Sequence, residues 1–503
     1  MKKSFFITLI LQIAILPTIA APYAGSGVEI NYRQPGGSSI RLYVKGSQYY
    51  ARTVTKDGYT VIHNPEDQTY YYARLNAQGD GFIPTNLKVG RDQPVGLAKH
   101  IRLNPSQRKK RWEKKNTRLN AHKIQRWKNR VRAAQQRRNP QPEVAGEGST
   151  GGASAQFAPA FAPVNGNKKG LTILVQFPDD PDTAAADPTD FPSTQAKMER
   201  YCNELGYNDD GNTGSVRDYF RDQSLNAVDY SMLVTAIVTV PQPRNYYNYS
   251  DYPANTTLRD SGQAGRTLLT DAIQVLKNQN FNFDALTLEG SNVLSTNLFF
   301  AGNTSGVWSE GLWPHRWVMS PKPSVTINGI TRYIFDYQIT NITNNSPKIG
   351  TFIHESGHLL LDYPDLYDYG GESNGIGTHG LMASGNFANG GRTPAPINLY
   401  FKDIVGWANI TEISAAQYVN TTLPTTGNVG YRIRKPGVSN EYFVVENRGS
   451  GDKWGTYVPD KGIMIWHIDE NVNGNNNRDR VIMTIKKRVL KRVISNKISI
   501  GQI

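Results

Sequence analysis

The apolar positions of the chain change their rhythm several times, and each rhythm predicts a different kind of structure. Lys2 and Lys3 precede an apolar run from Phe5 to Leu16, then Pro17 and small residues ending at Ala20 and Ala21. That order predicts an export signal over 1–20, cleaved after Ala20, because the run is too short to span a bilayer. Residues 21–100 follow as a β-rich unit: Ile40–Val44 alternates, Lys56-Asp57-Gly58 is a turn signal, and Thr69–Ala73 is aromatic and β-prone. From 101 to 138, Leu103, Trp112, Leu119, Ile124, Trp127 and Val131 are scattered among charges with almost no Gly or Pro. This predicts a basic connector, partly helical or disordered, and the Pro, Gly, Ala and Ser of 139–167 predict a flexible linker.

A second globular region, 168–410, opens at Gly170–Phe177, which is apolar enough for a buried strand. Helical periodicity recurs at Gln195–Glu204 and Thr267–Lys277, and further strands are expected at Leu298–Ala301 and Ile330–Tyr337. From 411 to 479 the pattern turns β-like again, as in Glu441–Glu446 and Gly462–His467. The expected fold class is therefore α+β, with a mixed layer between two β-rich parts.

Composition narrows the function classes. The 503 residues leave room for about three domains. With 38% hydrophobic and 19% charged residues, a polytopic membrane protein is excluded. Cys202 is the only cysteine, so no intrachain disulfide, zinc finger or iron–sulfur cluster can form. The net charge of +14 is local: Lys99–Arg138 carries +15, Arg480–Ile503 carries +7, and the remainder is −8. The basic tail 480–503 breaks so abruptly from the preceding composition that a frameshift or truncation is the expected origin.

The chemistry centres on Thr351-Phe-Ile-His354-Glu355-Ser-Gly-His358. On a helix, His354 and His358 are four apart on one face, so both imidazoles can bind one Zn2+, and Glu355 can serve as the general base. Ser346 is the expected N-cap with Pro347 at the first helical position, and Ile349, Phe352 and Ile353 form the apolar stripe. A catalytic zinc needs a third protein ligand. Glu372 is the one Glu between His358 and Glu412, but its Gly-rich surroundings do not read as a helix. Asp362, Asp365 and Asp368 follow the second His at once, with Pro364 ending the helix. Asp365, seven residues after His358, is favoured; turn hydrogen bonding is the alternative for the other two. Met382, in Thr378-His-Gly-Leu-Met-Ala-Ser-Gly385, resembles the metzincin Met-turn beneath a metal, and His379 suits that turn better than the ion.

Together, His354–His358 running into Pro364-Asp-Leu-Tyr-Asp368 and Gly380-Leu-Met382 make the chain resemble the immune inhibitor A-like secreted metalloproteases. Supporting stretches are Gly214–Phe220, Leu312–His315, Tyr442–Arg448 and Gly462–Asp469, so the resemblance spans roughly 168–470. It implies a metzincin-like catalytic domain, zinc-dependent endopeptidase activity on protein or peptide substrates, secretion as a zymogen, and bound Ca2+ as a second candidate ion. Residues 21–100 resemble the family's propeptide. The chain departs from the family by carrying Leu361-Asp362 where a Gly is usual and one residue more before the Asp.

No Cys precedes the catalytic region, so latency cannot use a cysteine switch. Arg108-Lys-Lys-Arg111 is the expected maturation cut. Asp179-Asp-Pro-Asp182 and Asp209–Thr213 offer oxygen ligands for Ca2+, and Trp313 and His315 are candidates to border the cleft by resemblance. The competing functions are a non-catalytic secreted binding protein on the same fold and a binder of nucleic acid or anionic surfaces through the +15 segment. Neither accounts for the His-Glu-His set, so a secreted, monomeric enzyme with no nucleic-acid partner and no membrane span after signal removal is expected.

Overall fold

β-branched and aromatic residues recur in the segments that become strands, and the run Leu171–Val175 is buried without alternation, as a strand covered on both faces is. The computed structural model describes residues 23–46, 51–64, 67, 69–107, 118–138, 163–178, 190–247, 261–302, 311–368, 373–414, 423–434, 437–449, 451–472 and 483–485. The expected export signal, the Arg108–Arg111 cut, Asp179–Asp182, Glu372 and nearly all of the basic tail lie outside these residues.

Two compact units divide the chain, one built on residues 27–44 and 52–103 and the other containing 104–503. The first carries a six-stranded sheet in sequence order: β1 (Tyr23–Arg33), β2 (Ser39–Gly46), β3 (Ala51–Thr55), β4 (Thr60–Asn64), β5 (Thr69–Leu75) and β6 (Phe82–Lys88). Ile40, Leu42, Val61, Tyr70, Tyr72 and Val89 make its core.

The second unit continues with β7 (Gly166–Gln176), β8 (Val228–Thr239), β9 (Leu288–Glu289), β10 (Asn292–Val293) and β11 (Thr296–Ala301). Then come β12 (His315–Val318), β13 (Ser324–Ile327), β14 (Ile330–Tyr333) and β15 (Asp336–Ile342). Its central sheet has the order β12-β15-β11-β7-β8, parallel except for the antiparallel edge strand β12. Every residue of β11 and β15 is buried. The expected single strand Ile330–Tyr337 is in fact two: β14 belongs to a small separate sheet, and the chain turns before β15 enters the central one.

The histidine-bearing segment follows β15 as the helix Ile349–Leu361. Phe352 stacks on Phe299 of β11 at 5.1 Å, and Tyr201 of the helix Gln195–Asn203 meets both rings edge-on. The site helix is therefore fixed to the middle of the sheet by aromatic contacts of about 1 kcal/mol each. All thirteen of its residues are buried, so the expected one-sided stripe is replaced by cover all round. Its N-cap is Lys348 rather than Ser346, and the cap has no side-chain bond of its own. Asn212, from a distant loop, accepts the Ile349 N–H at 3.3 Å instead.

Part of that cover comes from the basic segment. Residues 118–138 form a helix whose Trp127, Val131 and Ala134 belong to the core of the second unit. The C-terminal sheet joins the same core through Tyr442, Val444, Met464, Trp466 and Ile468. It comprises β16 (Asn409–Ser414), β17 (Val429–Arg434), β18 (Glu441–Arg448), β19 (Gly462–Asp469) and β20 (Met483–Ile485), in that order. No helix among the described residues is long and apolar enough to cross a membrane.

Candidate metal centre

A 3.6-residue period places His354 and His358 one turn apart, and their ring centroids are 4.9 Å from each other. Each ring is held by its Nδ1–H. His354 donates to the Leu381 carbonyl at 2.9 Å and His358 to the Tyr363 carbonyl at 2.5 Å. Those bonds fix the tautomer and turn both Nε2 atoms inward. The Nε2 atoms converge on a single oxygen, Asp365 Oδ1, at 3.2 Å from His354 and 3.0 Å from His358. Candidate ligand atoms of the three side chains lie within 4.8 Å of one another, and all three residues are buried. Two imidazole nitrogens and a carboxylate facing one point suit a borderline-soft divalent cation. A buried His-His-Asp set able to hold a metal ion is thus present.

Asp365 reaches this point because the chain reverses sharply at the helix end. Asp362 adopts φ +58°, and its N–H and that of Tyr363 both return to the Gly357 carbonyl. The three aspartates of this turn separate by partner. Asp362 is gripped by Arg126 (Nε to Oδ1, 2.5 Å) and Arg130 (Nε to Oδ2, 2.6 Å) of the basic helix. Asp368 accepts the Ser373 N–H at 2.9 Å. Only Asp365 points at the imidazoles.

Electrostatics divide the site further. Burial raises the Glu355 carboxyl above its usual range, against the pull of His354 and Lys123, which gives it the basicity a proton acceptor needs. Burial pushes His358 down to about 4, helped by the charge of Lys123, so this ring is neutral, as a ligand must be. Burial opposes protonation of His354 as well, but the Asp365 hydrogen bond and the charge of Glu355 raise it. Asp362 is held at about 2: burial would raise it, and the two guanidiniums outweigh burial.

Behind the His-His-Asp set, Ser356 accepts from Gln338 Nε2 at 2.9 Å, and Gln338 in turn donates to Asn297 at 2.5 Å. This buried relay locks the site helix to β15 and β11. Met382 lies below the helix, where a Cβ at Gly357 would meet its Sδ at 2.7 Å, and its carbonyl accepts the Leu366 N–H at 2.7 Å. His379 bonds to Asp460 at 3.0 Å and to the Ile376 carbonyl, outside the ligand set. Trp313 is buried, and His315 is bonded to the Trp313 carbonyl and Tyr337, so neither joins the cluster. Asp209 and Asp210 each turn one carboxylate oxygen to a cation, Arg200 and Lys197 respectively.

Sequence reasoning passed over Arg126, Arg130, Lys123, Gln338 and Asn297. The one available signal was that Trp127 and Val131 lie four apart on a helical face with Lys123, Arg126, Arg130 and Ala134 close beside them. No family model matches the chain, and no curated protein matches it.

Proposed function

We propose that the protein is an exported zinc-dependent endopeptidase of metzincin type, made as a zymogen. In this reading His354, His358 and Asp365 hold the ion and Glu355 is the catalytic base. What carries the reading is the convergence of His354 Nε2 and His358 Nε2 on one Asp365 oxygen, beside a buried glutamate on the same helix. A bound zinc supplies Lewis acidity toward the scissile carbonyl and acidifies a water at its open position. Glu355 accepts the proton of the attacking water and returns it to the leaving amine; its raised pKa suits both transfers. The carbonyls of Leu381 and Tyr363 hold the two rings in the ligating tautomer throughout. Met382 beneath the helix supports the comparison with a Met-turn.

The +15 segment gives little support to a nucleic-acid reading, because Arg126, Arg130 and Arg138 of its helix face protein carboxylates. The test is hydrolysis of casein by purified protein, with metal content measured alongside. Chelation should abolish hydrolysis and added zinc should restore it. Glu355→Gln should keep the metal and lose roughly 10²–10⁴-fold in rate, the contribution typical of a positioned acid–base group. Hydrolysis that survives both treatments would end the zinc reading of the site, and no hydrolysis by the zinc-loaded parent would end the protease reading.

A further inference from the structure

The helix Arg118–Arg138 lies upstream of the Pro/Gly/Ala/Ser stretch in sequence, where a segment that is removed on maturation would be looked for. Its contacts describe something else. Side chains on one face, spaced three to four apart, reach the turn that delivers the third ligand. Trp127, 3% exposed, packs edge-on against Tyr363, Tyr400 and Phe401 at 6.4, 6.3 and 5.2 Å between centroids. Tyr363 is the residue whose carbonyl orients His358. Arg126 and Arg130 grip the neighbouring carboxylate, Asp362, whose side chain is wholly buried, and Arg126 Nη2 adds a second bond to it at 3.1 Å. Arg126 also forms a fork with Glu289 at 2.9 Å on both arms. Toward the helix C-terminus, Arg137 donates to the Ile404 carbonyl at 2.8 Å and Arg138 pairs with Asp403 and Glu470. The helix is therefore anchored along its length, with its indole and two guanidiniums on residues 362–363, two positions before Asp365.

From this geometry, and resting on the zinc reading of the site, we infer that Arg126 and Arg130 are positioning residues of the metal centre and that their helix stays in the working protein. The guanidiniums act through Asp362: they hold the left-handed turn, and the turn sets both the His358 tautomer and the reach of Asp365. Without the helix, a fully buried carboxylate would lose its counter-ions beside the ligands, and the aromatic pocket of Trp127 would open. A maturation cut compatible with a functioning site then falls before Arg118 and not in 139–162.

The experiment uses the full chain. Zinc affinity is measured by competition with a chromophoric chelator, and the Co2+-loaded form by its visible ligand-field spectrum. Arg130→Met and the pair Arg126→Met/Arg130→Met should lose roughly 10–100-fold in zinc affinity, as outer-shell partners do, and shift the Co2+ spectrum. Arg130→Lys should recover part of the loss. In the Asp362→Asn background, Arg130→Met should cost several-fold less, and that neutral combination keeps the test open if the single variant does not fold. N-terminal sequencing of the active form should find the helix present. Wild-type zinc affinity and spectrum in the arginine variants, or an active form beginning after Arg138, would overturn the inference. Absence of zinc binding by the unaltered chain would instead remove the reading of the site itself.

Discussion

Two glycines of the site helix make opposite predictions from similar chemistry. Gly350 and Gly357 both sit in Ile349–Leu361, and alanine at either should gain helix propensity, at most about 1 kcal/mol and less near the first turn. What a new Cβ would touch decides the sign. At Gly350 it would lie 2.0 Å from the backbone oxygen of Asn386 and 3.0 Å from that of Gly391. At Gly357 it would lie 2.7 Å from Met382 Sδ, the mobile part of an unbranched side chain. Relief at Gly350 requires a backbone shift of at least 1.0 Å, the difference between 2.0 Å and the 3.0 Å floor of real Cβ contacts. Forced backbone shifts in a packed core cost about 1–3 kcal/mol, and backbone against backbone belongs at the upper end. Net, Gly350→Ala should destabilise by about 2 kcal/mol, while Gly357→Ala should stay within about 1 kcal/mol of the parent. Because Gly350 precedes His354 by one turn, the same shift moves a member of the proposed zinc site, so zinc affinity should fall with stability. Urea unfolding of the chelated protein, followed by zinc titration, measures both. If Gly350→Ala proves as stable as Gly357→Ala and binds zinc like the parent, the close approach of the helix start to residues 386–391 is not what fixes His354.

Two further outcomes follow from the charges. Asp365→Asn should lower zinc affinity by more than the ~100-fold reached by outer-shell losses, whereas Asp368→Asn should bind within a few-fold of the parent, since Asp368 accepts from the Ser373 N–H; chelator competition compares them. Burial pulls the Lys402 ammonium down to about 8, against the nearby charges of Glu446 and Asp452. Between that value and the unfolded value near ~10.4 the unfolded chain binds more protons, so stability rises as pH climbs from 8 to about 10.5. That increment, about 3 kcal/mol at most, should be missing in Lys402→Met, and equal pH slopes in urea melts would refute it.

The parts of the site carried by local periodicity were legible in the sequence. His354, Glu355 and His358 needed only a helix to face together, and Pro364 marked where that helix must stop. For the third position the sequence offered three aspartates and favoured Asp365 on spacing alone, because what separates the three depends on residues far away. Arg126 and Arg130 precede Asp362 by 236 and 232 positions, and no local pattern links them. Composition worked against them too: a segment of +15 reads as solvated charge, and its carboxylate partners are dispersed over Glu289, Asp362, Asp403 and Glu470. The helix start was misplaced for a related reason. Ser346-Pro347 is a good local start, but Asn212 supplies the acceptor from another loop and the helix begins at Ile349. Ile330–Tyr337 reads as one strand because both halves are β-prone, and only the pairing shows that they belong to different sheets.

The turn after the site helix shows what separates a carboxylate able to take a metal ion from a structural one when residue type and neighbourhood are the same. Asp362 and Asp365 are both buried and both anionic. The partners of Asp362 are guanidiniums, which cannot give up a proton at ordinary pH, so its charge is permanently answered and it cannot turn to a metal. The partners of Asp365 are imidazoles, which can lose a proton: burial and the charge of Lys123 push His358 down and keep it neutral, while the Asp365 hydrogen bond and the charge of Glu355 raise His354. A divalent ion can replace protons at Asp365 and cannot replace Arg126 or Arg130 at Asp362. The permanent pair then serves the exchangeable one, since a fixed turn is what allows a single carboxylate oxygen to stand opposite two Nε2 atoms with or without an ion between them.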